Sequence, residues 1–208
     1  MKNILIGFAA LVILIVGAWF VVTHPKTAEP ITQEPVATST NSSLTQTYTD
    51  SAARFSIRYA PNMAVDKEYQ YTNLGPSKTI SGVKFTIDPA VATGTNLSSD
   101  SYLSVEQISN VTSCTADLFI DTSNGAKATT VTDGSVSYSV ATTTGAGAGN
   151  RYEETVFALP GTSPCIAVRY MIHYGVFENY PAGSIKEFDR AALLDQFDQM
   201  RRTLTVNK

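Results

Sequence analysis

Asn150-Arg-Tyr-Glu-Glu-Thr-Val-Phe-Ala-Leu159 and Cys165-Ile-Ala-Val-Arg-Tyr-Met-Ile-His-Tyr174, parted by Pro160-Gly-Thr-Ser-Pro164, decide how this chain is read. Both runs are rich in β-branched and aromatic residues, and the Pro/Gly segment between them punctuates a hairpin. With Leu159 set opposite Cys165, Arg151 falls opposite His173 and Thr155 opposite Arg169. One face then gathers Tyr152, Val156, Ile166, Val168, Tyr170, Ile172 and Tyr174, and forms a core face. The other carries Arg151, Glu153, Arg169, Met171 and His173. Side chains alternate with a period of two, so a slip of one residue would change every partner.

Upstream, Ala128-Thr-Thr-Val-Thr132 and Ser135-Val-Ser-Tyr-Ser-Val140 flank Asp133-Gly134. Both turn residues tolerate positive φ, and the pair predicts a second hairpin. Arg54-Phe-Ser-Ile-Arg-Tyr59 and Val83-Lys-Phe-Thr-Ile87 alternate apolar and polar residues as half-buried strands do, and Tyr102–Ile108 is a less regular third. Cys114–Ile120 fits either a strand or a short helix. Gly145-Ala-Gly-Ala-Gly149 lacks the third glycine and the following helix of a nucleotide loop, and reads as a flexible hairpin loop. At the C-terminal end, Ser184-Ile-Lys-Glu187 has capping-box form. Ile185, Phe188, Leu193, Phe197, Met200 and Leu204 then give the stripe of an amphipathic helix, before a short strand at Thr203–Val206. The expected fold is α+β: a mostly antiparallel sheet with a C-terminal helix packed on it.

This domain is expected to begin at Tyr48 and run to Lys208. Residues 23–47 read as a Thr/Pro/Ser-rich tether, since Pro25, Pro30, Pro35 and the small polar residues between them leave little to bury. Ahead of them, every residue from Ile4 to Val22 is apolar or Gly. At 1.5 Å per residue that run spans roughly 28 Å, the thickness of a bilayer core. Val16-Gly17-Ala18 offers a cleavage motif, but the apolar run continues through Trp19-Phe20-Val21-Val22, which favours an uncleaved transmembrane signal-anchor over residues 1–22. The short N-terminal tail places the domain outside the cytoplasm.

Cys114 and Cys165 are the only cysteines. On the oxidising side of a membrane they are expected to pair, closing a loop that stabilises by roughly 4 kcal/mol in the chain-entropy model. No His, Cys or Asp stands beside either at ligand spacing, so no metal site and no cofactor is expected. The chain carries a net charge of −3 with no Lys/Arg run, which excludes the basic footprint that nucleic acid requires. Charged residues make up only 16%, which is low for a soluble protein. Arg151, Glu153, Arg169 and His173 form the one candidate catalytic constellation. His173 with Glu153 is suited to acid–base chemistry, and either arginine to an oxyanion. Cross-strand ion pairing on a solvated face accounts for the same residues. The loop holding Tyr174, Phe177, Glu178, Asn179 and Tyr180 is aromatic-rich, and is either a binding surface or a plug for the sheet end. Asn41, Asn96 and Asn110 open glycosylation sequons.

Tyr48 followed by Phe55-Ser-Ile-Arg-Tyr59 resembles the opening of PsbP-like domains. Phe197-Asp-Gln-Met-Arg-Arg-Thr-Leu-Thr-Val206 is similar to their end, a helix running into a strand. The layout also resembles small membrane-anchored proteins of bacteria with reduced genomes. Many members of the family continue Tyr-Pro-x-x-Trp, where this chain has Tyr59-Ala60-Pro61-Asn62-Met63. The resemblance implies a sheet flanked by helices and an extracytoplasmic accessory role, and carries over no functional residue. The functional expectation is a non-catalytic envelope module that binds a protein or a cell-wall polymer through the Tyr174–Tyr180 loop. A small hydrolase using His173 and Glu153, or an inhibitor of a wall hydrolase, are the alternatives.

Overall fold

A computed structural model describes residues 43–53 and 55–207; the expected anchor at Ile4–Val22, most of the tether and Asn41 lie outside them. Among the described residues no helix is long and apolar enough to cross a membrane. The chain forms β1 (Gln46–Asp50), β2 (Phe55–Tyr59), β3 (Ala64–Tyr71), β4 (Ile80–Thr86), α1 (Pro89–Ala92) and β5 (Tyr102–Ile108). After a 3-10 turn at Ala116–Leu118 come β6 (Thr129–Asp133), β7 (Val136–Gly147), β8 (Asn150–Ala158) and β9 (Cys165–Gly175). A 3-10 turn at Phe177–Asn179, α2 (Arg190–Arg202) and β10 (Thr205–Val206) complete it. Leu44 packs against the core and β1 starts at Gln46, so ordered structure reaches into the last residues of the expected tether.

Among the described residues the named strands all pair antiparallel, and one isolated parallel bridge joins Thr95 to Lys186. Seven strands make one sheet in the order β3-β4-β5-β9-β8-β7-β6, and three make a second in the order β1-β2-β10. Alternation gives the large sheet two faces. On one, Val83 and Phe85 of β4, Leu103 and Val105 of β5 and Val168 of β9 meet Phe55 and Ile57 of β2 and Leu193, Phe197 and Met200 of α2. The other is covered by the segment around Ala116, Phe119 and Ile120, packed on Val156, Ala158 and Ala167. The Cys114–Cys165 disulfide pins that segment to the start of β9, with an S–S distance of 2.08 Å and a sequence separation of 51. The α+β expectation and the paired cysteines hold.

Three local expectations are corrected. The β8–β9 register pairs Arg151 with Tyr174, Thr155 with Tyr170 and Val156 with Arg169, one residue away from the alignment inferred from the turn. Leu159 N–H donates to the Ile166 carbonyl, not to Cys165, which sets the closing pair. The capping box at Ser184 starts no helix. Lys186 N–H donates to Gly94 O and Lys186 O accepts from Asn96 N–H, which holds that segment extended. Asp189 caps α2 instead, its carboxylate accepting from Ala192 N–H at 2.9 Å. Finally, Gly145–Gly147 belong to β7; the turn is the two residues Ala148 and Gly149, both at positive φ, as a tight hairpin of this hand requires.

Candidate functional site

The register slip takes the proposed catalytic set apart. Glu153 is on the α2 face, where its carboxylate accepts from the Tyr174 hydroxyl at 2.9 Å and from Arg190 Nε at 3.0 Å. Burial would raise that carboxyl, but the hydrogen bonds from Arg190 and Tyr174 outweigh it and hold it below the usual glutamate range. His173 is on the opposite face, stacked on Tyr152 with ring centroids 4.4 Å apart. Its Nδ1 is 2.8 Å from Asp100 Oδ1, a partner that sequence reading had not singled out. Burial of Asp100 works against ionisation, yet hydrogen bonds from Ser98 and His173 leave its carboxyl lowered. The opposed faces keep His173 and Glu153 from acting on one substrate atom.

Arg169 is not on a solvated face. It is fully buried and donates to both oxygens of Glu106 at 2.7 and 2.9 Å, to Glu154 and to the Phe119 carbonyl. Its guanidinium lies 3.5 Å from the Tyr71 ring centroid, and the Tyr71 hydroxyl donates to Glu154 at 2.8 Å. Burial alone would lower Arg169; the charge and hydrogen bonds of Glu106 more than reverse that, so the cation is fixed. These four hydrogen bonds and its full burial tie Arg169 to structure, which removes it from the oxyanion role. Arg151, by contrast, is exposed at the mouth of β8.

The aromatic loop separates into two parts. Tyr174 faces inward, packed on Phe188 with centroids 5.2 Å apart and tied to Glu153. Phe177 and Tyr180 stay 39% and 40% exposed and belong to neither core cluster, so they do not plug the sheet end. The loop backbone is nonetheless fixed: Val176 N–H donates to Gly149 O at 2.8 Å and Asn179 N–H to Val176 O at 3.0 Å. Glu178 is exposed within the 3-10 turn. Tyr180 rests on Gly175 so closely that a Cβ there would sit 2.3 Å from the phenol oxygen.

Asn96 organises this end of the sheet. Only 3% exposed, it donates through Nδ2 to Gly175 O at 2.8 Å and accepts through Oδ1 from Phe188 N–H at 3.0 Å. Its backbone adds bonds to Lys186 and Gly175. Read only as a sequon opener, Asn96 gave no hint of this; its signal was a polar residue flanked by Leu97 and bracketed by turn residues. Around it lies a cavity of about 460 Å³, lined by α1, the Asn96–Ser99 segment, Asn150, Gly175 and Tyr180. The site is therefore an aromatic lip on a rigid, polar hollow.

A scan of protein families matches none of this chain, and a search of curated proteins finds no relative. Among solved structures, a Bacteroides thetaiotaomicron protein is 13% identical with a TM-score of 0.45; the match covers 80% of this chain and 50% of that one. This chain thus spans about half of that protein's length. Cyanobacterial PsbP (CyanoP) from Synechocystis sp. PCC 6803 is also 13% identical, with a TM-score of 0.43, covering 78% of this chain and 92% of that one. Neither likeness assigns a family.

Proposed function

We propose that this chain is a non-catalytic binding module of a cell envelope, anchored by Ile4–Val22, that engages its partner through the sheet end around Phe177 and Tyr180. The observation that carries this reading is the pair of large aromatic side chains left in solvent on a loop whose backbone is held by Gly149 and Asn96. Rigid aromatic groups bury area for little ordering entropy, which suits them to recognition. The Cys114–Cys165 bridge supports an oxidising compartment, since cytosolic thiols are kept reduced.

The test places a photo-crosslinking residue at Phe177 in the full-length chain in cells. A discrete adduct, lost when Tyr180→Ala is added, is expected. Melting temperature should stay within about 2 °C, because both side chains lie outside the cores. Unchanged adducts with the Tyr180 variant, or none at all, would rule this surface out.

A further inference from the structure

We infer that the cavity beside Tyr180 takes a neutral, polyhydroxylated ligand, a unit of an uncharged glycan; this rests on the sheet end being the binding surface. None of the ten lining residues carries a charge. An ionic ligand would find no countercharge among them to offset whatever hydration it sheds. A purely apolar one would strand the polar groups that the walls present, at the cost of unmade hydrogen bonds. The polar lining residues are Thr93, Ser98, Ser99, Tyr180 and Asn150, a mixed set of donors and acceptors, of which Ser98 already bonds Asp100 and the Asn150 amide donates to Ala148 O at 3.4 Å. Thr93 already donates to Pro89 O at 3.0 Å, which leaves its lone pairs for a ligand hydroxyl.

Sugars combine hydroxyl edges with C–H faces, and the site offers a counterpart to each. The Tyr180 ring lines the cavity, with the exposed Phe177 three residues before it outside the lining, and the electron-rich face of an aromatic ring attracts the weakly positive C–H hydrogens of a pyranose. The volume lies within the roughly 300–1,000 Å³ typical of small-ligand sites, room for part of a chain rather than for a folded partner. Asn96 spends its own amide on Gly175 and Phe188, so it shapes the cavity and leaves ligand contacts to its neighbours.

The experiment titrates the full-length chain in detergent micelles with chitotetraose, cellotetraose and maltotetraose, and with tetragalacturonate as the anionic comparator, read by saturation-transfer NMR and calorimetry. At least one neutral tetramer should bind, and tetragalacturonate should bind about tenfold more weakly or not at all. Asn150→Ala and Gly175→Ala should each weaken the neutral ligand about five- to tenfold. Ser99→Trp, which fills the cavity from an exposed position, should abolish binding without altering the melt. No neutral tetramer binding up to about 10 mM, or equal binding of the anionic one, overturns the inference. If crosslinking at Phe177 persists in that case and captures a protein, the binding-surface reading stands and only the saccharide is lost. Loss of both removes both.

Discussion

At the centre of the seven-stranded sheet, Val168 points to one face and Arg169 to the other, and both are fully buried. Val168 shares its core cluster with Phe55, Phe85 and Phe197, apolar groups whose burial is favourable in any combination that fills space. Around Arg169 they are Glu106, Glu154, Tyr71 and the Phe119 carbonyl, which stabilise only as a complete set. The helix side is thus closed by elements with their own apolar stripe, and the loop side by a segment that needs a disulfide and an ion pair. The contrast teaches that one sheet carries a tolerant core on one face and an all-or-none core on the other.

Removing the guanidinium is the severest way to break that contrast. Arg169→Met leaves Glu106 buried without its partner and is expected to destabilise by about 3–5 kcal/mol in thermal melts. Adding Glu106→Leu should recover most of the loss, and failure to recover would mean that the network contributes net stability. Opening the disulfide with Cys114→Ala and Cys165→Ala comes next, at about 2–4 kcal/mol. Hydrogen exchange should then rise around Ala116–Ile120 while the amides of α2 keep their protection. Equal loss on both faces would show that the two cores are one cooperative unit.

Acid sharpens the comparison from the helix side. Hydrogen bonds from Arg201 and Arg202 to Asp133, and from Arg190 and Tyr174 to Glu153, depress both carboxyls in the folded chain. A depressed folded value means that the contribution is complete above the unfolded value of about 4 and is lost as pH falls through the folded one. Exchange at the ends of α2 is therefore expected to increase below about pH 4, before the apolar interior yields. The smallest effect is that of Asp189→Ala, about 1 kcal/mol, read as fraying of the first turn of α2.

The two faces also differed in how far the sequence disclosed them. The stripe of Leu193, Phe197 and Met200 announced the helix side, because one helix face reports burial by its period alone. On the loop side, periodicity sorted β8 and β9 each into two faces but could not say which met which, since β9 is buried on both. That single ambiguity joined His173 to Glu153 and sent Arg169 to the surface. The sequence held one clue: Glu106, Glu154 and Arg169 are charges inside the strands β5, β8 and β9, which lie side by side in the sheet. The edge strand β3 escaped notice because its register breaks between Asp66 and Tyr69 and its side chains are mostly exposed. Of the site, the aromatic lip was legible as composition. The hollow beside it was not, because it is assembled from segments that only tertiary hydrogen bonds at Asn96 bring side by side.

Asn96 has a practical corollary for anyone producing the protein. It begins the triplet Asn96-Leu97-Ser98, which a eukaryotic secretory host reads on the emerging chain, before folding hides it. A glycan installed there would occupy the nitrogen that Gly175 needs, and the polypeptide could not close around it. Secretion from yeast should yield misassembled material until Ser98→Ala erases the triplet, whereas the exposed Asn110 should accept the same decoration harmlessly.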